Sequence, residues 1–468
     1  MASARISKAQ IRPQDRQRFA ERKSCPCQKA KCWRRNAEPR RVGLLHAVSY
    51  DELISGARLS QGEHGIFMSS IADLNVLYEA YRASMKGSAW KEEPQRFEIN
   101  FLSEIIKLKK EIENRTYQTA EGSTFIYRER GKTRLIHGGR MRDRVIRHAL
   151  CDNELTGKLN PYLIHNNGAS QKGKGMSFAR NQFEKDLHNY WLEHRSNDGY
   201  IGFVDISKFY DNMQHDKIIE SVCPKLEKDA AWLLVEILKT FEIDVSYMSD
   251  DEYASCLSAK FDSIKYHTEI PDESKTGEKM MRKSVDIGDQ VSQNIGIYFP
   301  TRLDNYAKIV RGCKHYGRYM DDIYIICESK EEVQSIIDGI TEQAKELGMF
   351  INEKKTRIEK LSGNYKYLQI RYTLTDTGRV IRRINPKNVT RERRKLKAYK
   401  RLLDKGAMPM EDIEEAFKSW LGASFKYMSN QQIINMISLY MNLFRRKPTW
   451  KKQSQLRWLT AQCSKISA

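Results

Sequence analysis

The sequence predicts an α+β protein, and three observations carry that prediction. Short apolar segments that end in an acid, such as YIGFVDI at 200–206, alternate with amphipathic helical stretches. Two segments, TFIYRERGKTRLI at 124–136 and HYGRYMDDIYII at 315–326, read as strand, tight turn, strand, which makes their strands antiparallel. Beyond Arg382 the pattern is helical only.

Composition narrows the class. The chain has 468 residues, with 81 Lys and Arg against 60 Asp and Glu, a formal net charge of +21. A chain this long holds several modules, and so basic a balance points to polyanionic partners such as nucleic acid. Hydrophobic residues make up 40%, and no apolar run approaches the roughly 18 residues of a membrane span, so a soluble, cytoplasmic protein with no membrane partner is expected. The nine cysteines are odd in number and scattered, unlike a disulfide framework, and the N-terminus lacks the apolar stretch of a secretory signal.

Residues 1–45 form a basic arm, with thirteen Lys or Arg against Asp15, Glu21 and Glu38. Cys25, Cys27 and Cys32 lie in it without the paired CxxC spacing of a zinc knuckle, so zinc binding there stays open. Two helices are expected within 71–114, one with a stripe of Leu74, Leu77, Tyr78 and Tyr81, the other with Phe97, Phe101, Ile105, Leu108 and Ile112. The 124–136 hairpin follows, then a helix from Met141, a lysine- and glycine-rich loop ASQKGKG at 169–175, and a helix from Phe178. After the strand at 200–206 come a helical stretch at about 216–240 and a turn-rich segment, 244–283, that reads as an insertion. A glycine turn and helix at 285–304, the second hairpin, a helix at 330–347, a strand near Phe350 and a hairpin around 367–380 complete the pattern before the basic helical tail.

Asp321 and Asp322 are the most informative residues. Adjacent acids at a hairpin tip between apolar strands repel each other, and a cation relieves them. Asp205 ends the other apolar strand, where its carboxylate emerges near that tip if the strands are neighbours. Three carboxylates around two Mg²⁺ ions about 4 Å apart are what in-line nucleotidyl transfer requires, one ion activating the attacking 3′-hydroxyl and the other stabilising the leaving pyrophosphate.

In this order the segments resemble the bacterial reverse transcriptases, which include group II intron, retron, diversity-generating retroelement and phage-defence-associated enzymes. The resemblance runs from about residue 75 to 445. FVDISKFYDNMQHD, IGDQVSQNIGIYFPTRLDNY, YMDD, GMFINEKKTRIEKL and YLQIRY resemble the five palm motifs; RERGKTRLI and MRDRVIRHAL resemble the fingers, and ASQKGKG a template-contacting loop. The resemblance implies a right-hand polymerase with fingers, an antiparallel-sheet palm and an all-helical thumb. It divides the chain into the arm at 1–45, N-terminal helices and fingers at 46–195, palm at 196–380 and thumb at 381–468.

It also implies roles. Asp205, Asp321 and Asp322 are catalytic metal ligands for two Mg²⁺, with Mn²⁺ as a substitute, and Lys355, beside Lys354, protonates pyrophosphate. Lys132 and Arg134 grip the triphosphate, Tyr210 excludes a ribose 2′-hydroxyl, and Ile206, Ile287 and Gly288 complete the nucleotide pocket. Lys172, Lys174, Ser292, Gln293 and Gln369 face template or primer. Two departures stand out: Ile287 replaces the usual glutamine of the second motif, and Gln369 stands where the fifth usually has glycine. The Ile287 form is closest to diversity-generating and defence-associated enzymes.

The expected activity is RNA-directed DNA synthesis from dNTPs on an RNA template, a dedicated structured noncoding RNA, with a DNA primer or product and a role in antiphage defence. A diversity-generating enzyme, an untemplated or protein-primed DNA polymerase, and a non-catalytic RNA-binding scaffold are the alternatives. A homo-oligomer or an accessory protein is left open.

Overall fold

The computed structural model describes residues 71–120, 122–129, 131–450, 456 and 458–460. The basic arm and its three cysteines lie outside the described residues.

Three helices open the described chain, Leu74–Met85, Glu92–Ile99 and Phe101–Glu113, where two were expected. Asp73 caps the first by accepting from the Asn75 and Val76 amides. The second and third are separate because Asn100 leaves helical geometry between them. Leu77 and Tyr81 are buried, but Leu74, expected on the same stripe, is 44% exposed: it stands at the first position of the helix, beyond the packed turn. Strands β1 (Ser123–Glu129) and β2 (Lys132–Gly138) form the expected hairpin, in register from Ser123 opposite Gly138 to Glu129 opposite Lys132. Its tight turn uses Gly131 at φ 75°, a left-handed conformation that glycine adopts without steric cost.

The helix Met176–His194 leads into β3 (Tyr200–Ser207), the centre of the main sheet. β4 (Ile243–Asp244) and β5 (Met280–Met281) pair as a short ribbon that closes off the 244–283 segment, which contains the helices Asp250–Ser258 and Ser263–Thr268. That segment has its own apolar cluster of Ile243, Val245, Met248, Phe261 and Met281. The second expected hairpin is β6 (His315–Tyr319) and β7 (Asp322–Cys327). β8 (Phe350–Ile351) and β9 (Arg357–Lys360) both pair with β3 on its other edge, so the antiparallel sheet runs β6, β7, β3, then β8 and β9 end to end.

Alternation along the central strands divides the core. Val204, Ile206, Ile323, Ile325 and Cys327 face one cluster, which includes the N-terminal helices and the helix Lys330–Glu346. Ile201, Phe203, Tyr324 and Ile326 face the other, built on the helix Met176–His194 and the C-terminal region. A period of two with both faces apolar marks a sheet buried on both sides.

The hairpin expected around 367–380 is a three-stranded sheet of β10 (Tyr365–Tyr367), β11 (Ile370–Leu374) and β12 (Val380–Ile384). Arg382 and Arg383, expected to begin the basic helix, belong to β12, and that helix is Pro386–Asp404, with proline at its start and the Asn385 side chain capping the Lys387 amide. Its Val389, Glu392 and Leu396 turn inward. Lys387, Arg391, Arg393, Arg394, Lys397 and Arg401 are exposed. Lys395 and Lys400 are half-buried beside that stripe, so the cations spread around the cylinder, as expected, everywhere but on its narrow buried face. Met410–Ser424 and Asn430–Phe444 complete a helical C-terminal unit.

Candidate active site

The pairing of β3 with β7 sets Asp205 directly opposite Asp322. Asp205 shares a face with Ile201 and Phe203, and Asp322 shares it with Tyr324 and Ile326, so both carboxylates emerge on one side of the sheet. Asp321 occupies the two-residue turn between Tyr319 and Asp322, and its carbonyl accepts from the Ile206 amide at 3.2 Å. Met320, the other turn residue, has φ 54°, an uncommon conformation for a side-chain-bearing residue and a local strain held by the surrounding structure. A buried ion pair holds it: Arg318 donates to both carboxylate oxygens of Asp304, to the Ile297 carbonyl at 2.8 Å and to the Met320 carbonyl at 3.4 Å. Arg318 and Asp304 are fully buried, and Tyr316 adds a hydroxyl donor to Asp304 at 2.7 Å. The network ties the second hairpin to the helices that precede it.

Two of the three acids are pushed above the ordinary carboxylate range. Loss of solvation, then the neighbouring Asp321 and Asp205 carboxylates, pushes Asp322 up to about 6. Burial and Asp205 likewise raise Asp321. Asp205 itself is held by Lys355, whose ammonium donates to its two oxygens at 2.9 and 2.8 Å, and by Asn352, whose side-chain amide donates at 3.1 Å and whose backbone amide donates to the Asp205 carbonyl at 2.7 Å. Among the described residues no three His, Cys, Asp or Glu side chains are gathered closely enough to hold a metal as they stand. The donor chemistry nevertheless fits a hard divalent cation. Three carboxylates gather where the strands β3 and β7 end, burial and mutual repulsion make two of them resist ionisation, and an ammonium rests on the third.

A cavity of about 510 Å³ opens beside these acids. Asp205, Asp321, Lys355, Lys132, Arg134, Ile206, Tyr210 and Ile287 all line it, so residues from β2, β3, the second hairpin and two loops converge. Lys354 does not line it. Tyr210 lies against the Asp321 turn, its hydroxyl 4.0 Å from the Met320 sulfur, and burial followed by the Asp321 charge pushes its phenol up to about 12. Gly296 leaves room for that ring: a Cβ there would come within 3.3 Å of it.

Other expected site residues lie outside the cavity lining. Gly288 has φ 98° in the turn before the helix Gln290–Tyr298. Ser292, expected to face template or primer, is fully buried on the inward side of that helix, and its hydroxyl has no partner there. Gln293 is half-exposed, with its side-chain carbonyl 3.5 Å from the Ser170 hydroxyl of the 169–175 loop. Lys172 is exposed, whereas the Lys174 ammonium folds back onto the His165 and Asn167 carbonyls at 3.0 and 3.4 Å. Gln369 sits in the β10–β11 turn.

Sequence reasoning missed Asn352, although it lies in the quoted INEKK run one residue beyond β8, where pairing with β3 brings it to Asp205. It also missed the polar group beneath Ile287. Asp286 lines the cavity 3.6 Å from His137, and Arg147 pairs with Asp289 at 3.1 Å. Burial and the Asp289 charge push Asp286 up to about 7, against the opposing pull of Arg147.

A family model described as "Reverse transcriptase (RNA-dependent DNA polymerase)" matches residues 126–372. No curated protein matches the chain. Among solved structures, the chain is similar to telomerase from Candida albicans in complex with a TWJ fragment of telomeric RNA, at 11% sequence identity and a TM-score of 0.35. That likeness covers 75% of this chain and 64% of that one, so this chain spans less than two thirds of the structure it matches.

Proposed function

The chain belongs to the reverse transcriptase family, whose model spans more than half of it, and from that premise we propose that it is an RNA-directed DNA polymerase acting at the acids Asp205, Asp321 and Asp322. The observation that carries the reading is the register of β3 and β7, which brings the strand-end acid and the hairpin-tip pair together beside a cation-lined cavity. The right-hand architecture fits this layout. The hairpin β1–β2 with its flanking helices serves as fingers, the main sheet as palm and the helices from Pro386 onward as thumb, close to the divisions at 46–195, 196–380 and 381–468.

Reverse transcriptase domains depend on divalent metal, and here Asp205, Asp321 and Asp322 would hold it as two Mg²⁺, with Mn²⁺ as a substitute. The bound ions supply charge neutralisation for the attacking 3′-hydroxyl and the leaving pyrophosphate. The remaining work falls to the chain's own groups. Lys132 and Arg134 on β2 face the acids across the cavity, where cations suit a triphosphate. Lys355 holds Asp205 in place and carries a proton within reach of a leaving group in the cavity. Tyr210, packed against Gly296 and the Asp321 turn, stands where it would exclude a 2′-hydroxyl and so select deoxynucleotides. Lys366 stands near Asp322; burial lowers its pKa, Asp322 opposes that shift, and Arg357, Lys387 and Arg391 add to it. A basic tract therefore runs from the acids to the outer side of the helix Pro386–Asp404, the path we assign to a template–product duplex.

The native template in this reading is a structured noncoding RNA, and the biological setting is antiphage defence, on the grounds of the basic arm at 1–45 and the added 244–283 segment; the Ile287 form fits a diversity-generating enzyme equally well. Primer extension on an RNA template tests the activity. Wild-type protein should make template-copied DNA from dNTPs with Mg²⁺, and Asp321→Asn with Asp322→Asn should lower the rate by on the order of a thousandfold or more while RNA binding persists. DNA made without regard to template would favour the untemplated alternative, and tight RNA binding without synthesis would favour the scaffold.

A further inference from the structure

The segment between β4 and β5 is built against the loop that follows Asp205. The Phe261 amide donates to the Asn212 side-chain carbonyl at 2.8 Å, and the Ser263 hydroxyl donates to Asp211 at 3.0 Å. Lys208 donates to Asp262 at 2.7 Å, and Lys260 donates to the Ser207 hydroxyl at 3.0 Å. On its other side the helix Ser263–Thr268 packs on β2, the strand that carries Lys132 and Arg134. Lys260, Ser263 and Ile264 line the same cavity as Asp205 and Asp321. The segment is therefore a wall of that cavity, touching both the hairpin and the central strand.

Its two nearby lysines are placed differently. Lys208 is matched by carboxylates, Asp262 at 2.7 Å and Asp211 at 3.7 Å. Lys260 is exposed, is anchored only on a neutral hydroxyl, and forms no ion pair among the described residues. Ser207, its anchor, is buried at the end of β3, two positions past Asp205, so the ammonium is held near the acids instead of sweeping through solvent. An uncompensated cation fixed at the wall of a concave site favours an anion in that site. Lys132, Arg134 and Lys355 line the same cavity, and its volume of about 510 Å³ falls within the range of small-molecule sites.

We propose that Lys260, supplied by the 244–283 segment, is a phosphate-binding residue of a polyphosphate subsite that takes the outer phosphates of the incoming nucleotide and the pyrophosphate that leaves. The proposal rests on the polymerase reading, and it gives the segment a direct part in nucleotide binding.

The test measures binding of inorganic tripolyphosphate, with Mg²⁺ present, to the full chain by calorimetry, alongside dNTP KM and kcat in primer extension. Wild type is compared with Lys260→Ala, Lys260→Arg and Lys330→Ala, the last an exposed lysine remote from the cavity. Removing one charge-assisted hydrogen bond should weaken tripolyphosphate binding and raise dNTP KM by about tenfold in Lys260→Ala, with a smaller change in kcat. Lys260→Arg should recover most of both, and Lys330→Ala should match wild type. Unchanged tripolyphosphate affinity in Lys260→Ala overturns the proposal, as does a fall in thermal stability alone, which would make Lys260 a mere support for Ser207. Wild type that fails to bind tripolyphosphate overturns it too. If the chain extends no primer yet binds tripolyphosphate through Lys260, the subsite stands and the polymerase reading fails; wild-type KM in an extending Lys260→Ala enzyme gives the reverse.

Discussion

Asp286 is a carboxyl placed where ionisation is costly. It lines the cavity beside Asp205 and Asp321 with 18% of its side chain exposed, and burial and Asp289 outweigh the help from Arg147. Its folded value of about 7 lies above its ordinary 3.8, so the folded chain binds this proton more tightly than the unfolded chain does. The resulting stability is present below pH 3.8 and is lost as pH rises toward 7. Asp286→Asn removes the ionisation. Relative to wild type it should be stabilised more at pH 8 than at pH 5, by on the order of 2 kcal/mol, read as the difference in unfolding midpoints at the two pH values. An equal effect at both would mean that Asp286 ionises freely. The same position explains why Ile287 alone is an incomplete description of the second motif: an acid and His137 lie beside it in the pocket.

At the scale of an element, the β10–β11 turn shows how a departure from the family pattern is accommodated. Tyr367 pairs with Ile370, leaving Leu368 and Gln369 as a two-residue turn with φ 41° and 73°. Both values are left-handed, the geometry that the usual glycine at the second position adopts easily and that glutamine adopts at a cost. Arg180 holds the turn from outside, donating from two nitrogens to the Leu368 carbonyl at 3.1 and 2.5 Å. The backbone thus keeps the glycine geometry without the glycine. Gln369→Gly should raise stability by roughly 1 kcal/mol, seen as a higher urea midpoint with an unchanged slope. A decrease would show that the glutamine side chain makes an interaction worth more than the strain.

For the whole molecule, charge is arranged by packing. The helix Pro386–Asp404 buries Val389, Glu392 and Leu396, which leaves Arg391, Arg394 and Arg401 exposed on the outer side, with Arg391 near Lys366 and Lys366 near Asp322. A phosphate backbone bound along that path releases counterions, so affinity for an RNA–DNA duplex should fall steeply with salt. Replacing those three arginines with glutamine should reduce the steepness of log K against log salt by about 0.7 to 0.9 for each phosphate that is no longer neutralised. An unchanged slope would mean that the duplex runs elsewhere.

Much of the fold and the three acids were legible in the sequence, because each is written in local pattern. Short apolar runs around a tight turn mark β3, β6 and β7, a glycine turn marks the first hairpin, and YMDD spans a two-residue turn between apolar strands. Helix counts were less legible, since one non-helical residue, Asn100, divides a continuous apolar stripe. The burial of Ser292, the reach of Asn352 to Asp205 and the Arg318–Asp304 pair were not legible at all. Each depends on elements far apart in the chain meeting in space, and no local periodicity records such a meeting. The segment 244–283 is the clearest case: its turn-rich composition reads as an insertion but assigns it no structure, while tertiary packing placed Lys260 on Ser207 and the segment against β2. The sequence determined which residues could do this chemistry, because residue type and short-range period are local properties. The tertiary structure decided which of them share one cavity, because that follows from strand register and from packing between distant segments.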